Sequence, residues 1–125
     1  MWELKDDYAD KNRFRRYAQK HKLEYAACFR NLGRLRAVLE EGLTLQQCSF
    51  GFFRSEGMDV YRISQSGLPN SHETRLYIYA ELIGTGIYLL TIGDKKTQPA
   101  DIQWCHEVVQ KIREQKKHEK ESESE

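Results

Sequence analysis

From Arg75 to Glu81 apolar and polar positions alternate with period two. Leu76, Ile78, Ala80 and Leu82 fall on one side of an extended chain, and Arg75, Tyr77, Tyr79 and Glu81 on the other. This pattern predicts a strand with one core face and one face outside the core. The glycines flanking Thr85 permit the positive φ angles of a tight reversal, so Ile87 to Ile92 is predicted to return as the antiparallel partner. That second run, IYLLTI, is apolar on both sides, which predicts a central strand or one with neighbours on both faces. Asp59 to Ser64 alternates as well, with Val60, Arg62 and Ser64 opposed to Tyr61 and Ile63.

Elsewhere the spacing is helical. From about Tyr8 to Gln19 the apolar positions are Phe14, Tyr17 and Ala18; from about Leu23 to Glu41 they are Cys28, Leu32, Leu35 and Leu39, with Gly42 as a C-terminal cap. The opposite face of this helical hairpin is rich in base, including Arg13, Arg15, Arg16, Arg30, Arg34 and Arg36. A last helix starts at Thr97 or Gln98, with Pro99 in its first turn and Asp101 near its positive end, and buries Ile102, Cys105, Val108, Val109 and Ile112. Trp2 to Lys5 is a candidate short edge strand. Leu43 to Gly57 reads as a loop or irregular strand, and SGLPNSHE as a turn. The elements predict an α+β fold: a small antiparallel sheet of three to four strands packed against an N-terminal helical hairpin and a C-terminal helix. With the helices on one face of the sheet, the other face is predicted to stay open and to gather the polar and aromatic strand residues.

Composition narrows the field. A chain of 125 residues is one domain, able to bury roughly two-thirds of its unfolded surface without a metal or a disulfide. The three cysteines, Cys28, Cys48 and Cys105, lack any CxxC or zinc-type spacing and read as small hydrophobes in a reducing compartment. No apolar run approaches a membrane span and MWELKDDYADKNRF lacks a signal-type core, so a cytoplasmic protein is expected. Residues 1–45 hold ten Lys/Arg against seven Asp/Glu, whereas residues 114–125 hold three against five. That tail has no apolar residue and is predicted to be disordered beyond the last helical turns, leaving residues 1–113 as the domain.

Three stretches carry a resemblance to a known family: LEEGL (Leu39 to Leu43) closing the second helix, DVYRIS followed by ETRLYIYA in the strands, and LLTIGDKKTQ leading into the last helix. In this order and spacing the chain resembles the RelE/ParE superfamily of toxins from toxin-antitoxin operons, and within it the HigB-like, phage-derived branch, over about residues 2–113. Arg62 matches the family's strand arginine, Arg75 with Tyr77 and Tyr79 its second strand motif, and Asp94, Lys95, Lys96 and Gln98 its third. The sequence departs from the family in Tyr61-Arg62 and in a longer loop, SQSGLPNSHE. The resemblance implies a RelE-like fold and the toxin component of a type II system, neutralised by a cognate antitoxin. Its implied activity is metal-independent cleavage of mRNA on the ribosome, with no cofactor; the alternative is a non-catalytic member that binds DNA gyrase or only its antitoxin.

Such cleavage uses the 2′-OH of the RNA as nucleophile, so the protein must align the backbone and neutralise developing charge. Arginine suits this because its planar fork binds two phosphate oxygens and stays protonated. The expected catalytic residues are Arg62, Arg75, Tyr77 and Lys95; Tyr79, Lys96, Gln98 and Arg54 are expected to bind substrate. Each also has an ordinary explanation. The two arginines can pair with Glu73 or Glu81, the tyrosines are frequent in strands, and Asp94 can cap the turn. His72, in a loop, and His106, on a helix, show no partner in the sequence. The basic helical hairpin offers a third reading, nucleic-acid binding without cleavage.

Overall fold

Arg75 to Ile92 lies at the centre of a five-stranded sheet in the computed structural model, which describes residues 1–69 and 71–123. Along the chain the elements are β1 (Glu3–Lys5), α1 (Lys11–Lys20), α2 (Lys22–Glu40), a short 3-10 turn (Leu45–Gln47), β2 (Phe53–Ser55), β3 (Val60–Ser64), β4 (Thr74–Glu81), β5 (Gly86–Asp94) and α3 (Gln98–Glu123). The fold is α+β. The strand order is β1-β5-β4-β3-β2; β1 runs parallel to β5 and the other neighbours are antiparallel, so the sheet is mixed and larger than the three to four antiparallel strands predicted. The candidate edge strand at Trp2–Lys5 forms as β1, and the strand beyond the predicted count is β2, whose three residues are too few for a periodic signal.

One face of the sheet packs on the helical hairpin. Asp10 caps α1 by accepting from the Arg13 amide, and its own amide donates to the Leu90 carbonyl, which fixes the helix against β5. A single residue, His21, joins α1 to α2. Phe14, Cys28, Leu32, Leu35 and Leu39 then meet Ile63, Leu76, Ile78, Ala80, Ile87 and Ile92 in one core. Burial pushes the Cys28 thiol up to about 12, in keeping with a filler role. Gly42 ends the hairpin at φ 104°, as its position predicted.

The opposite face is covered too, and here the structure corrects the sequence reading. Cys105, Val108, Val109 and Ile112 of α3 pack on Val60, Tyr77, Tyr79, Tyr88 and Leu90, so the helices lie on both faces and the sheet is a middle layer. The physical reason is in β5: a bulge opposite Tyr77 and Ile78 sets both Leu90 and Thr91 toward α3, which makes this strand apolar on either side. Tyr77 and Tyr79 therefore point into a second core, not into solvent.

Two ends of the chain path also differ from expectation. In the β4–β5 turn it is Thr85, at φ 51°, that adopts the left-handed conformation, and Leu82 lies beyond the strand, exposed. The helix α3 continues through residues 114–123, where disorder was predicted. Lys116 holds it there, donating to Glu81 Oε1 at 2.6 Å and lying over the Tyr88 ring, within a run of good helix formers. Ser124 and Glu125 lie outside the described residues. No helix among the described residues is long and apolar enough to cross a membrane.

The β2–β3 hairpin stores strain. Met58 and Asp59 are its two central residues, at φ 55° and 61°, closed by the Val60 amide on the Gly57 carbonyl at 2.9 Å. This mirror-image turn favours Asn-Gly, and a bulky L-residue in it costs about 1–2 kcal/mol. Met58→Asn is expected to raise unfolding stability by about 0.5–1 kcal/mol, read from urea melts at constant slope.

Candidate functional site

β3 and β5 end, and β4 begins, at the same edge of the sheet, next to the start of α3. Pairing places Ser64, Arg75 and Gly93 in one row there, and Thr74 and Asp94 in the outermost row. Arg75 projects toward α3, where its Nη1 donates to Gln98 Oε1, and its Nη2 lies 3.7 Å from Glu73. Lys95 and Lys96, both exposed, form the turn from β5 into α3. Thus four predicted residues, Arg75, Lys95, Lys96 and Gln98, meet at this rim. A groove of about 230 Å³ opens there, lined by His72, Glu73, Asp94, Lys95 and Lys96.

Arg62 sits two rows further in than Arg75, between Arg54 on β2 and Tyr77 on β4. Its Nη1 is 3.8 Å from Glu56. The Arg62 and Arg75 side chains are 16% and 14% exposed, and the Nε of each is buried without a hydrogen-bond partner. They share a face and lie on adjacent strands. Arg75 pairs with Glu73, one of the two partners its ordinary explanation named, whereas Glu56 takes Arg62 and Glu81 is held by Lys116. Arg54 is exposed on the edge strand, beside Arg62.

The tyrosines do not fit their expected roles. Tyr77 is fully buried beneath α3 with its hydroxyl unpartnered, and burial pushes that hydroxyl well above the ordinary tyrosine range. It can neither stack on a base nor pass a proton. Tyr79 lies four residues along the strand, about 13 Å from Arg75, packed on Tyr88 and beneath Arg113 at the other end of the sheet.

Two carboxylates position the rim. Asp101, 4% exposed, accepts from Arg13 Nη1 and from Thr97 Oγ1, tying the first turn of α3 to α1. Asp94 accepts from the Thr97 amide at 3.0 Å and so caps the turn, as predicted. Burial raises the Asp94 carboxyl, but the Thr97 amide, the nearby His72 imidazole and the Lys96 amide outweigh it and bring the group below its ordinary value. A depressed carboxyl stabilises the fold fully above the ordinary value of 3.8, and the contribution is lost as pH falls through the depressed one. Acid melts of the wild type and Asp94→Asn are therefore expected to differ above about pH 4 and to converge below it.

Sequence reasoning missed the partners of His72. The loop after β3 is pinned by Asn31, whose Nδ2 donates to the Ser64 carbonyl and to Ser66 Oγ, and by Glu24, which accepts from the His72 amide at 3.1 Å. This brings His72 Nε2 to 3.3 Å from Asp94 Oδ2 and stacks its ring on His21, centroids 4.2 Å apart and planes within 11°. No sequence signal links residues 21, 72 and 94; only the pairing of Thr74 with Asp94 and the one-residue joint between the helices bring them together. His106 Nε2 lies 2.8 Å from the Glu56 carbonyl, a structural contact. A comparison with protein-family models, curated proteins and solved structures found no match.

Proposed function

We propose that this chain is a toxin of the RelE/ParE type that cleaves mRNA on the ribosome through the RNA's own 2′-OH and is silenced by a cognate antitoxin. The observation that carries this reading is the Arg75–Gln98 pair at the end of the sheet where Lys95 and Lys96 line an open groove with His72, Glu73 and Asp94. The α+β class of the fold is compatible with what the motif resemblance implies.

In this reading Arg75 holds the scissile phosphate. Its contact with Glu73 is a 3.7 Å pair to a carboxylate that is 65% exposed, an interaction of about 0–1 kcal/mol that a phosphate can displace. Gln98 aims the guanidinium. Lys95 and Lys96 add positive charge for the flanking phosphates, and Arg62 reinforces the field from two rows further in. Tyr77 supports this row from below and takes no part in the chemistry.

A second reading has a specific observation behind it. The cover that α3 gives to the Tyr77–Tyr79 face removes the broad surface on which bases could stack, which favours a non-catalytic protein that binds gyrase or an antitoxin. Induction of the chain in a bacterial host, with growth and total mRNA integrity read together, separates the two. Arrest with fragmented mRNA supports the nuclease, arrest with intact mRNA the protein-binding toxin, and growth without arrest rejects both.

A further inference from the structure

Resting on the RNA-cleaving reading, we infer that His72, facing Asp94 and backed by His21, is the base that removes the 2′-OH proton. Arginine and lysine at the rim bind phosphate, but neither readily takes a proton near neutral pH. The groove needs a proton acceptor, and His72 lines it. The imidazole is oriented. Its Nε2 faces the Asp94 carboxylate at 3.3 Å, its backbone amide is fixed by Glu24, and its flat side rests on His21. Nε2 is turned inward, buried and without a hydrogen bond of its own, which leaves Nδ1 as the nitrogen for a ligand on a side chain that is 37% exposed. A carboxylate behind one nitrogen stabilises the imidazolium that forms when the other accepts a proton.

The step balances within the RNA. Neutral His72 takes the proton from the 2′-oxygen, which attacks the adjacent phosphorus; the P–O2′ bond forms and the P–O5′ bond breaks. O5′ takes a proton from water, and the imidazolium returns its proton to the hydroxide so formed. The products are a 2′,3′-cyclic phosphate and a 5′-hydroxyl end. Asp94 and His21 are positioning residues. The other charged or titratable groups facing His72 are Tyr17 from α1, Glu24 from α2, the neighbouring Glu73, and Lys95 and Lys96 across the groove.

The test uses an end-labelled mRNA, both free and bound to programmed ribosomes, with purified wild type, His72→Gln and Asp94→Asn at several pH values. Wild type is expected to cleave faster as pH rises through the range where imidazoles lose their proton, about 5 to 8, and to leave cyclic phosphate ends. His72→Gln is expected to cleave about 10²- to 10⁴-fold more slowly and to lose that pH dependence, with RNA binding unchanged. Asp94→Asn keeps the cap on Thr97 and is expected to lose about tenfold in rate with binding unchanged. A melt of each variant guards against misfolding, and should His72→Gln melt early, Asp94→Asn alone decides. If wild type cleaves and His72→Gln keeps its rate within about threefold with the same pH profile, the assignment of His72 is wrong and the nuclease reading stands. If wild type cleaves neither free nor ribosome-bound RNA, both fall.

Discussion

Arg75→Ala is expected to abolish the growth arrest that the wild-type chain causes on induction, and to slow mRNA cleavage by about 10²- to 10³-fold, the usual cost of one preorganised electrostatic donor. Arg75 makes few polar contacts in the fold. It gives one hydrogen bond to Gln98 and one long contact to an exposed carboxylate, and its Nε is unpartnered. Truncation is thus expected to cost only about 0.5–1.5 kcal/mol of stability, so lost activity reports on chemistry. Arg75→Lys sharpens the point. A lysine keeps the charge but not the fork that grips two phosphate oxygens, so it is expected to recover only part of the rate. Equal activity of wild type and Arg75→Ala, measured as mRNA half-life after induction, would remove the rim from the mechanism.

Tyr77 gives the second large effect, and it is one of stability. Tyr77→Ala removes a fully buried ring from the layer between the sheet and α3, and about 3–5 kcal/mol of loss is expected. Tyr77→Phe removes only a buried hydroxyl that has no partner, so stability is expected to hold or rise. The open-face arrangement read from sequence makes the opposite forecast, a harmless truncation and a hydroxyl that matters for activity. Urea melts of the two variants, together with cleavage by Tyr77→Phe, distinguish them.

The contrast shows what the sequence carries. Period-two alternation located β3 and β4 and sorted their faces correctly, since Leu76, Ile78 and Ala80 do share the hairpin core. Helical spacing located all three helices and the stripes they bury. Periodicity separates two faces of a strand, but it does not say whether the less apolar face meets water or another layer. Arg75 and Glu81 at the ends of β4 made its second face look wet, although the tyrosines between them can be buried as readily as exposed. The apolar run of β5 held the contrary signal. Of the site, the rim residues in GDKKTQ were legible because they are neighbours in sequence. The His21–His72–Asp94 group was not, because it is assembled by three separate contacts between distant segments.

The most direct test of the rim as an RNA site is an NMR titration of the isotopically labelled chain with a single-stranded RNA oligonucleotide. Amide and side-chain shifts are expected to cluster at residues 72–75 and 94–98, with a smaller response at Arg62. Shifts confined to the outer face of the helical hairpin, around Arg15, Arg16 and Arg30, or no shifts at all, would contradict the account.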